Sequence, residues 1–314
     1  MEYVILIVAL AGIVFGADWL VDGSVSIARK FKVSDFVIGA AIVGVGTSMP
    51  ELMVSFLGAL QGNSDVAIGN VVGSNIFNVL CILGVTAALF PIAVTKDNLK
   101  FEIPCCIAVT LLLTVLSFNF FNTDVSELGR FDGLILLVSF GIFMWHSFYR
   151  DTKNSLAAGT TAEYEEETTP VWKSSLKVAV GLGILIFSCD QFVDKAIIVA
   201  KSWGVSEAVI SITLIACGTS LPELAASIAA AVKKNTQLAF GNIIGSNIFN
   251  ITLILGLSSQ VTDLSSPGIT IVDYGVAIVA SIIPLLFGLK GRINRWQGVV
   301  MIAGFICYTM YLFA

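Results

Sequence analysis

Charged residues are scarce in this chain. Lys and Arg account for 17 of its 314 residues and Asp and Glu for 22, so that 12% are charged, about half the proportion in a soluble domain. The net charge of −5 is small and gives no reason to expect a nucleic-acid partner. A soluble globule with 56% apolar residues could not cover its surface with so few charges. The composition therefore excludes an ordinary cytosolic enzyme and a disordered chain, and it indicates a protein embedded in a lipid bilayer.

The chain has a single histidine and lacks paired cysteine motifs. His146 is the single histidine, and the six cysteines lie in apolar stretches without CxxC or Cys/His ligand spacing. Neither a zinc site nor a disulfide framework is indicated. Because the sequence contains no nucleophile–base pair and no cofactor motif, we expect neither an enzyme nor a bound cofactor.

Ten stretches are long and apolar enough to span a bilayer, which takes about 20 residues. The first has no basic n-region and no cleavage site, so we interpret it as a retained span and not as a signal peptide. The sequence predicts an all-α membrane protein with ten transmembrane helices. The predicted spans are 3–22, 36–59, 66–90, 102–121, 131–149, 174–194, 208–232, 237–259, 269–289 and 296–313.

Lys and Arg collect in the loops on one side of the predicted membrane. Of the 17, 14 fall on the side that the chain reaches after its first span, and only Arg130, Lys195 and Lys201 lie elsewhere. Positively charged loops face the cytoplasm. We therefore predict a protein of the cell (inner) membrane with both termini outside the cytoplasm.

The chain contains an internal repeat. Residues 18–84 align with 190–256 without a gap, and 29 of these 67 positions are identical. Five predicted spans separate equivalent points, so the second copy must enter the membrane from the opposite side. The loop charges agree, because Lys233 and Lys234 occupy a loop whose counterpart, 60–65, contains no Lys or Arg.

We therefore predict two inverted five-helix repeats, at 1–149 and 173–314. The segment 150–172 between them is polar and acidic, and we interpret it as a cytoplasmic linker. Inverted repeats are typical of transporters, which bind their substrate near the bilayer midplane where the two repeats meet.

Polar residues recur at helical spacing inside the apolar spans. Thr47, Glu51 and Ser55 are four residues apart and share one helix face. A stripe of this kind would be costly against lipid, so we expect it to face other polar groups or water. The same spacing is found in Asn70, Ser74 and Asn78, in Thr219, Glu223 and Ser227, and in Asn242, Ser246 and Asn250.

The chemistry of these stripes favours hard cations. Glu51 and Glu223 supply carboxylates, the other residues supply hydroxyl and amide oxygens, and Pro50 and Pro222 release backbone carbonyls by interrupting their helices. Such all-oxygen sites suit calcium and also sodium, and they do not suit zinc or copper.

Four aspartates of the repeat allow two interpretations. They either brace the interface between the repeats or line an ion path, and we favour bracing because Lys195 lies beside Asp194 and no hydroxyl ligands are nearby. The four are Asp18, Asp22, Asp190 and Asp194.

The paired Gly-Thr-Ser-x-Pro-Glu and Gly-Ser-Asn-Ile-Phe-Asn motifs, at 46–51 with 73–78 and at 218–223 with 245–250, resemble the two alpha repeats of the sodium/calcium exchanger family. This family belongs to the calcium/cation antiporter superfamily, and the short linker resembles that of a minimal prokaryotic member. The resemblance implies that Glu51 and Glu223 are the central calcium-binding carboxylates. It further implies hydroxyl or backbone ligands from Thr47, Ser48, Thr219 and Ser220, sodium sites bordered by Ser74, Asn78, Ser246 and Asn250, and carbonyl ligands at Gly44 and Ala216.

The function that we expect is antiport of calcium against sodium by alternating access. A calcium/proton exchanger with the same fold is the nearest alternative, and a calcium-permeable channel is a more distant one. Asn250 is neutral where potassium-dependent relatives carry an acid, which argues against potassium co-transport. We expect calcium ions, sodium ions and the lipid bilayer as partners, and no obligatory protein partner.

Overall fold

The computed structural model describes residues 2–118, 127–157, 169–203, 218–265 and 267–312, and these are almost entirely helical. The helices are α1 (Glu2–Phe31), α2 (Asp35–Thr47), α3 (Met49–Leu60), α4 (Ser64–Leu89), α5 (Asn98–Ser117), α6 (Arg130–Ala157), α7 (Val171–Ser202), α8 (Leu221–Val232), α9 (Thr236–Val261), α10 (Ile271–Gly288) and α11 (Arg295–Leu312).

Among the described residues, four two-residue strands accompany the helices, and they form two antiparallel ribbons. β1 (Ile92–Ala93) pairs with β4 (Arg292–Ile293), and β2 (Glu127–Leu128) pairs with β3 (Leu264–Ser265). The residue pairs Ile92–Ile293 and Leu128–Leu264 lie opposite each other and are fully buried. The ribbons therefore hold the connections between helices together through small buried apolar contacts. Strands of two residues contain no long apolar run, so the pattern of apolar spans does not predict them.

Seven of the described helices are long and apolar enough to cross a bilayer. The pair α2 and α3 makes an eighth if its two parts, which are bent by 50°, form one span. The predicted span 296–313 corresponds to α11. The described part of the predicted span 208–232 contains the short helix α8. The prediction of a helical membrane protein is confirmed, and the count of ten spans stays a prediction.

Large apolar side chains are exposed along the long helices. Ile7 is 70% exposed, Phe131 74% and Met310 66%. Soluble proteins rarely expose apolar patches of this extent, whereas lipid chains solvate them well. These side chains therefore mark a surface that faces lipid.

The described residues divide into two compact units, each of which combines segments from both halves of the sequence. Unit 1 contains 1–48 and 147–242, and unit 2 contains 49–146 and 243–314. Helix α6 continues to Ala157 and α7 begins at Val171, so both ends of the predicted linker 150–172 are helical. Its acidic residues Glu163, Glu165, Glu166 and Glu167 lie outside the described residues.

In unit 1, helices α1 and α7 pack closely because small residues face each other. A Cβ atom at Gly16 would lie 2.6 Å from the backbone nitrogen of Leu185, and one at Gly181 would lie 2.6 Å from that of Leu20. Leu20 and Leu185 are themselves fully buried. Gly241 at the start of α9 likewise touches the backbone of α2. Close backbone approach at small residues is the usual way in which helices associate in membranes.

In unit 2, helices α4 and α11 approach each other in the same way, at Gly84 and Gly298. The core of this unit contains Ile76, Ile82 and Leu83, which are fully buried. The second part of α9 packs with α4 in this core. Unit 2 therefore brings together the two helices that carry the Gly-Ser-Asn-Ile-Phe-Asn motifs.

Helices break or widen at equivalent positions of the two sequence repeats. Ser48 ends α2 with φ −82° and ψ 9°, and Ser220, its counterpart in the second repeat, has φ −91° and ψ 8°. A proline follows two positions after each serine and cannot supply a helical N–H. A π-helical turn begins at Asn78 in α4 and another at Asn250 in α9. Such turns are frequent at functional sites.

Candidate functional site

Unit 1 contains a buried carboxylate that accepts a hydrogen bond from a serine at a helix break. Ser48 Oγ donates to Glu223 Oε1 at 2.8 Å, and both residues are fully buried. The break that follows α2 removes Ser48 from the regular helix, and Glu223 lies in the first turn of α8. The predicted site residues Ser48 and Glu223 are thus in direct contact.

Asn242 holds this carboxylate segment in place. Its Nδ2 donates to the backbone oxygen of Glu223 at 3.1 Å and to Ser227 Oγ at 2.8 Å. On its other side, Asn242 Oδ1 lies 3.2 Å from Thr47 Oγ1. One buried amide therefore connects α2, α8 and α9 and fixes the backbone from which Glu223 projects.

Unit 2 repeats this arrangement around Glu51. Asn70 Nδ2 donates to the backbone oxygen of Glu51 at 3.2 Å and to Ser55 Oγ at 2.9 Å. Glu51 is fully buried in the first turn of α3. The donor and both acceptors occupy the repeat positions that Asn242, Glu223 and Ser227 occupy in the other copy. The sequence repeat is therefore also a repeat of hydrogen bonds.

The asparagines of the second motif pair with each other across unit 2. Asn75 Nδ2 donates to the backbone oxygen of Asn247 at 3.0 Å, and Asn247 Nδ2 donates to that of Asn75 at 3.2 Å. Asn78 Nδ2 donates to Asn247 Oδ1, and Asn250 Nδ2 donates to Asn75 Oδ1. The bonds are reciprocal, as between two related surfaces that bind each other.

We call the hydrogen-bonded groups around Glu223, around Glu51 and between the asparagines the polar frames. Several buried oxygens of these polar frames receive no hydrogen bond from the described residues. In unit 1 they are Glu223 Oε2 and Thr219 Oγ1, and in unit 2 they are the Oδ1 atoms of Asn78 and Asn250. A buried polar atom without a partner is costly and commonly marks the position of a water or an ion. Carboxylate, hydroxyl and amide oxygens are ligands for a hard cation.

The remaining predicted ligands are buried as well. Ser74 is 4% exposed, and Ser220 and Ser246 are fully buried. The carbonyl oxygen of Gly44 accepts a hydrogen bond from the backbone N–H of Ser48 at 3.1 Å. Ala216 lies outside the described residues.

The structure adds polar residues that the predicted ligand set omits. Asn70 and Asn242 anchor the two glutamate segments, Ser55 and Ser227 are their second acceptors, and Asn75 and Asn247 form the reciprocal pair. Helical spacing places most of them on the polar stripes, so their burial was predictable. The hydrogen-bond partners of the asparagines were not predictable, because spacing along one helix does not identify a partner on another helix.

Two of the four repeat aspartates form ion pairs at one end of unit 1. Asp18 lies 2.6 Å from Lys233 Nζ, and Asp22 pairs with Lys233 and, at 2.7 Å, with Lys177. These contacts support bracing for both. Asp190 and Asp194 are exposed, and Lys195 pairs with Glu2 at 3.5 Å and not with the neighbouring Asp194.

Comparisons with known proteins agree over the whole length of the chain. It matches the family described as sodium/calcium exchanger protein over residues 1–149 and 173–314. It is 39% identical to the putative antiporter CaxA of Alkalimonas amylolytica, over 99% of this chain and 98% of the relative. It is 32% identical to the sodium/calcium exchanger MaX1 of Methanosarcina acetivorans, over 100% and 99% respectively.

A solved structure of the sodium–calcium exchanger NCX_Mj, soaked with sodium and strontium ions, has the same fold. The TM-score is 0.83 at 32% sequence identity, and the match covers 98% of this chain and 97% of that one. Long apolar helices around buried polar frames define a membrane transport protein. The chain belongs to the sodium/calcium exchanger family, which confirms the resemblance inferred from the paired motifs.

We predict that Asn242→Ala and Asn70→Ala each destabilise the protein by about 1–3 kcal/mol, because two buried acceptors lose their donor in each variant. Thermal unfolding of the detergent-purified protein measures the effect. Asn63→Ala is the matched control, since Asn63 is exposed. Unfolding midpoints that match the control would contradict the anchoring role.

Proposed function

We propose that this protein is a secondary active antiporter that exchanges calcium for sodium across the cell membrane by alternating access. The single observation that carries the proposal is that a chain matching the sodium/calcium exchanger family along its length contains two fully buried glutamates in equivalent polar frames. The relative named as the exchanger MaX1 and the likeness to NCX_Mj support the same activity.

In this proposal Glu51 and Glu223 supply the two negative charges that neutralise one calcium ion. Removal of the ion would leave two carboxylates with uncompensated charge in a low dielectric, which is unfavourable unless sodium ions replace it. Coupling of the two fluxes follows from this electrostatic need. The further proposed ligands are Thr47, Ser48, Thr219, Ser220, Ser74, Asn78, Ser246, Asn250, Gly44 and Ala216.

The choice of sodium over protons rests on the oxygen atoms around the carboxylates. Protonation of a carboxylate needs no surrounding ligands, whereas sodium needs several oxygens. The unpartnered buried oxygens of Thr219, Asn78 and Asn250 favour sodium on this ground. A calcium/proton exchanger remains the alternative, and the neutral side chain of Asn250 argues against potassium as a third ion.

Alternating access in this proposal uses ten transmembrane helices in two inverted repeats. The equal hydrogen bonds of Asn70 and Asn242 support a structural repeat. The π-helical turns that begin at Asn78 and Asn250 support it further. We place both termini outside the cytoplasm, as the loop charges indicate.

Purified protein in liposomes should accumulate radioactive calcium when sodium is loaded inside and diluted outside at constant pH. Uptake should stop when the sodium gradient is dissipated, because the two fluxes share one carrier. Uptake driven by a pH gradient in the absence of sodium would instead identify a proton exchanger. Calcium entry without any counter-ion would indicate a channel.

We expect Glu51→Gln and Glu223→Gln each to reduce sodium-driven calcium flux at least tenfold. A carboxylate 4 Å from a unit charge contributes about 4 kcal/mol at an effective dielectric of about 20, before desolvation. Folding should be retained, since each change removes a buried charge. Glu127→Gln, at an exposed position in β2, is the control and should transport normally. Near-normal flux in a monodisperse glutamate variant would remove that residue from the site.

Single cysteines at equivalent loop positions test the inverted repeat. In a cysteine-free background, Asn63→Cys should react with an impermeant thiol reagent from outside, and Asn235→Cys only from the cytoplasmic side. The two asparagines occupy the same position of the repeat, so two copies of unchanged orientation would place them on the same side. Labelling of both from one side would therefore overturn the inverted topology.

A further inference from the structure

Unit 1 contains a cavity of about 420 Å³ that is lined by basic side chains from three chain segments. The segments are the end of α1, the beginning of α7 and the residues after α8. Arg29, Lys173, Lys177 and Lys233 line the cavity, and Asp22 is the one acid among the described residues of its lining. All of these positions lie on the side that the loop charges predict to be cytoplasmic.

The carboxylate of Asp22 forms ion pairs with two of these basic side chains. Asp22 pairs with Lys177 at 2.7 Å and with Lys233, which also pairs with Asp18. Burial alone would lower the pKa of Lys233, but hydrogen bonds to Asp18 and Asp22 raise this pKa above the usual lysine value. The acids therefore offset the effect of burial, and Lys233 carries its positive charge at neutral pH as an exposed lysine does.

Among the described residues that line the cavity, basic side chains outnumber acidic ones. Burial raises the pKa of Asp35 overall, while its hydrogen bond with Asn235 and the nearby charge of Arg29 act in the opposite direction. Among the described residues, the acids at the cavity or beside its lining are Asp18, Asp22 and Asp35, against the four cations of the lining. The cavity is therefore more favourable for an anion than for a cation.

Neutral hydrogen-bonding groups complete the lining. Ser26 and Ser174 Oγ atoms are 2.7 Å apart, and both residues, together with Asn235, line the cavity. Several cations beside hydroxyl and amide groups form a typical environment for a phosphate group. The same set is unsuited to calcium or sodium, so the cavity is not a further position for the proposed transported ions.

Apolar side chains next to the cations are exposed to the surroundings. Phe31, Trp172 and Leu176 are 61%, 63% and 54% exposed. Lys173 Nζ lies 5.6 Å from the ring centre of Trp172. An exposed Trp beside basic residues is characteristic of the membrane–water interface, where lipid headgroups are available to the cavity.

We propose that this cavity binds a phosphate-bearing anion, either the headgroup of an anionic phospholipid or a soluble phosphate. Basic pockets between transmembrane helices on the cytoplasmic side are suited to acidic headgroups. Because residues of α1, α7 and the segment after α8 all line the cavity, a bound phosphate group would connect these three segments.

Binding can be measured directly on the full-length protein, without reference to transport. Native mass spectrometry in detergent, with phosphatidylglycerol and phosphatidylcholine as competing lipids, reports lipid preference and stoichiometry. Inorganic phosphate serves as the soluble probe, both alone by calorimetry and as a competitor of the lipid. The test variant is Arg29→Gln with Lys173→Gln. The control, Lys290→Gln with Arg292→Gln, removes the same charge from exposed positions outside the cavity.

We expect one phosphatidylglycerol to bind in preference to phosphatidylcholine, with affinity reduced about tenfold or more in the test variant and unchanged in the control. Competition by inorganic phosphate would identify the phosphate group itself as the recognised element. Binding of phosphate without lipid preference would identify a soluble ligand. The single variant Lys173→Gln should lose less affinity for the lipid, and it replaces the double variant in the test if the double variant fails to fold. Absence of binding by both probes, or equal losses in test and control variants, would overturn the proposal.

Discussion

Two carboxylates within apolar helices impose the constraint on which the other features of this structure depend. A charged group in the hydrocarbon layer is unfavourable unless polar atoms surround it. Glu51 and Glu223 are fully buried, and each projects from a segment whose backbone oxygen is bound by an asparagine of the next helix. The helix break at the end of α2 supplies one more donor to Glu223, the hydroxyl of Ser48. The broken helices and the buried amides therefore both supply polar contacts to glutamate segments that lie in apolar surroundings.

The sequence repeat supplies the asparagine bond and the helix break twice. The asparagine pair in unit 2 shows the result most directly, since Asn75 and Asn247 each donate to the backbone of the other. A self-complementary contact of this kind needs two similar surfaces, which the repeated motif provides. The amides also orient Asn78 and Asn250 so that their nitrogens are bonded and their oxygens remain available. In each of these side chains the nitrogen holds the neighbouring motif, while the oxygen is the atom that we propose as a ligand.

Unit 1 uses charge in two different ways. Around Glu223 the ionisable group is a fully buried carboxyl that accepts a hydrogen bond from the neutral hydroxyl of Ser48. Around Asp22 the charge is mainly positive and partly exposed, and it is contributed by side chains from three chain segments. Burial strengthens electrostatic interactions in the first setting, while contact with water weakens each ion pair in the second. Unit 1 therefore contains both the carboxyl that we propose as a cation ligand and the cavity that we propose as an anion site.

The sequence by itself determined the helical membrane class and the family, because long apolar runs and the paired motifs are local features. It also predicted the burial of Glu51 and Glu223, since helical spacing places each on a polar stripe. It did not reveal that Asn242 donates to Glu223 and Ser227, or that Asn75 and Asn247 bind each other, because periodicity describes one helix and not its partner. The ribbons β1–β4 and β2–β3 were likewise missed, as two-residue strands carry no pattern. These pairings were decided by tertiary packing, which brings residues that are distant in the sequence within hydrogen-bonding distance.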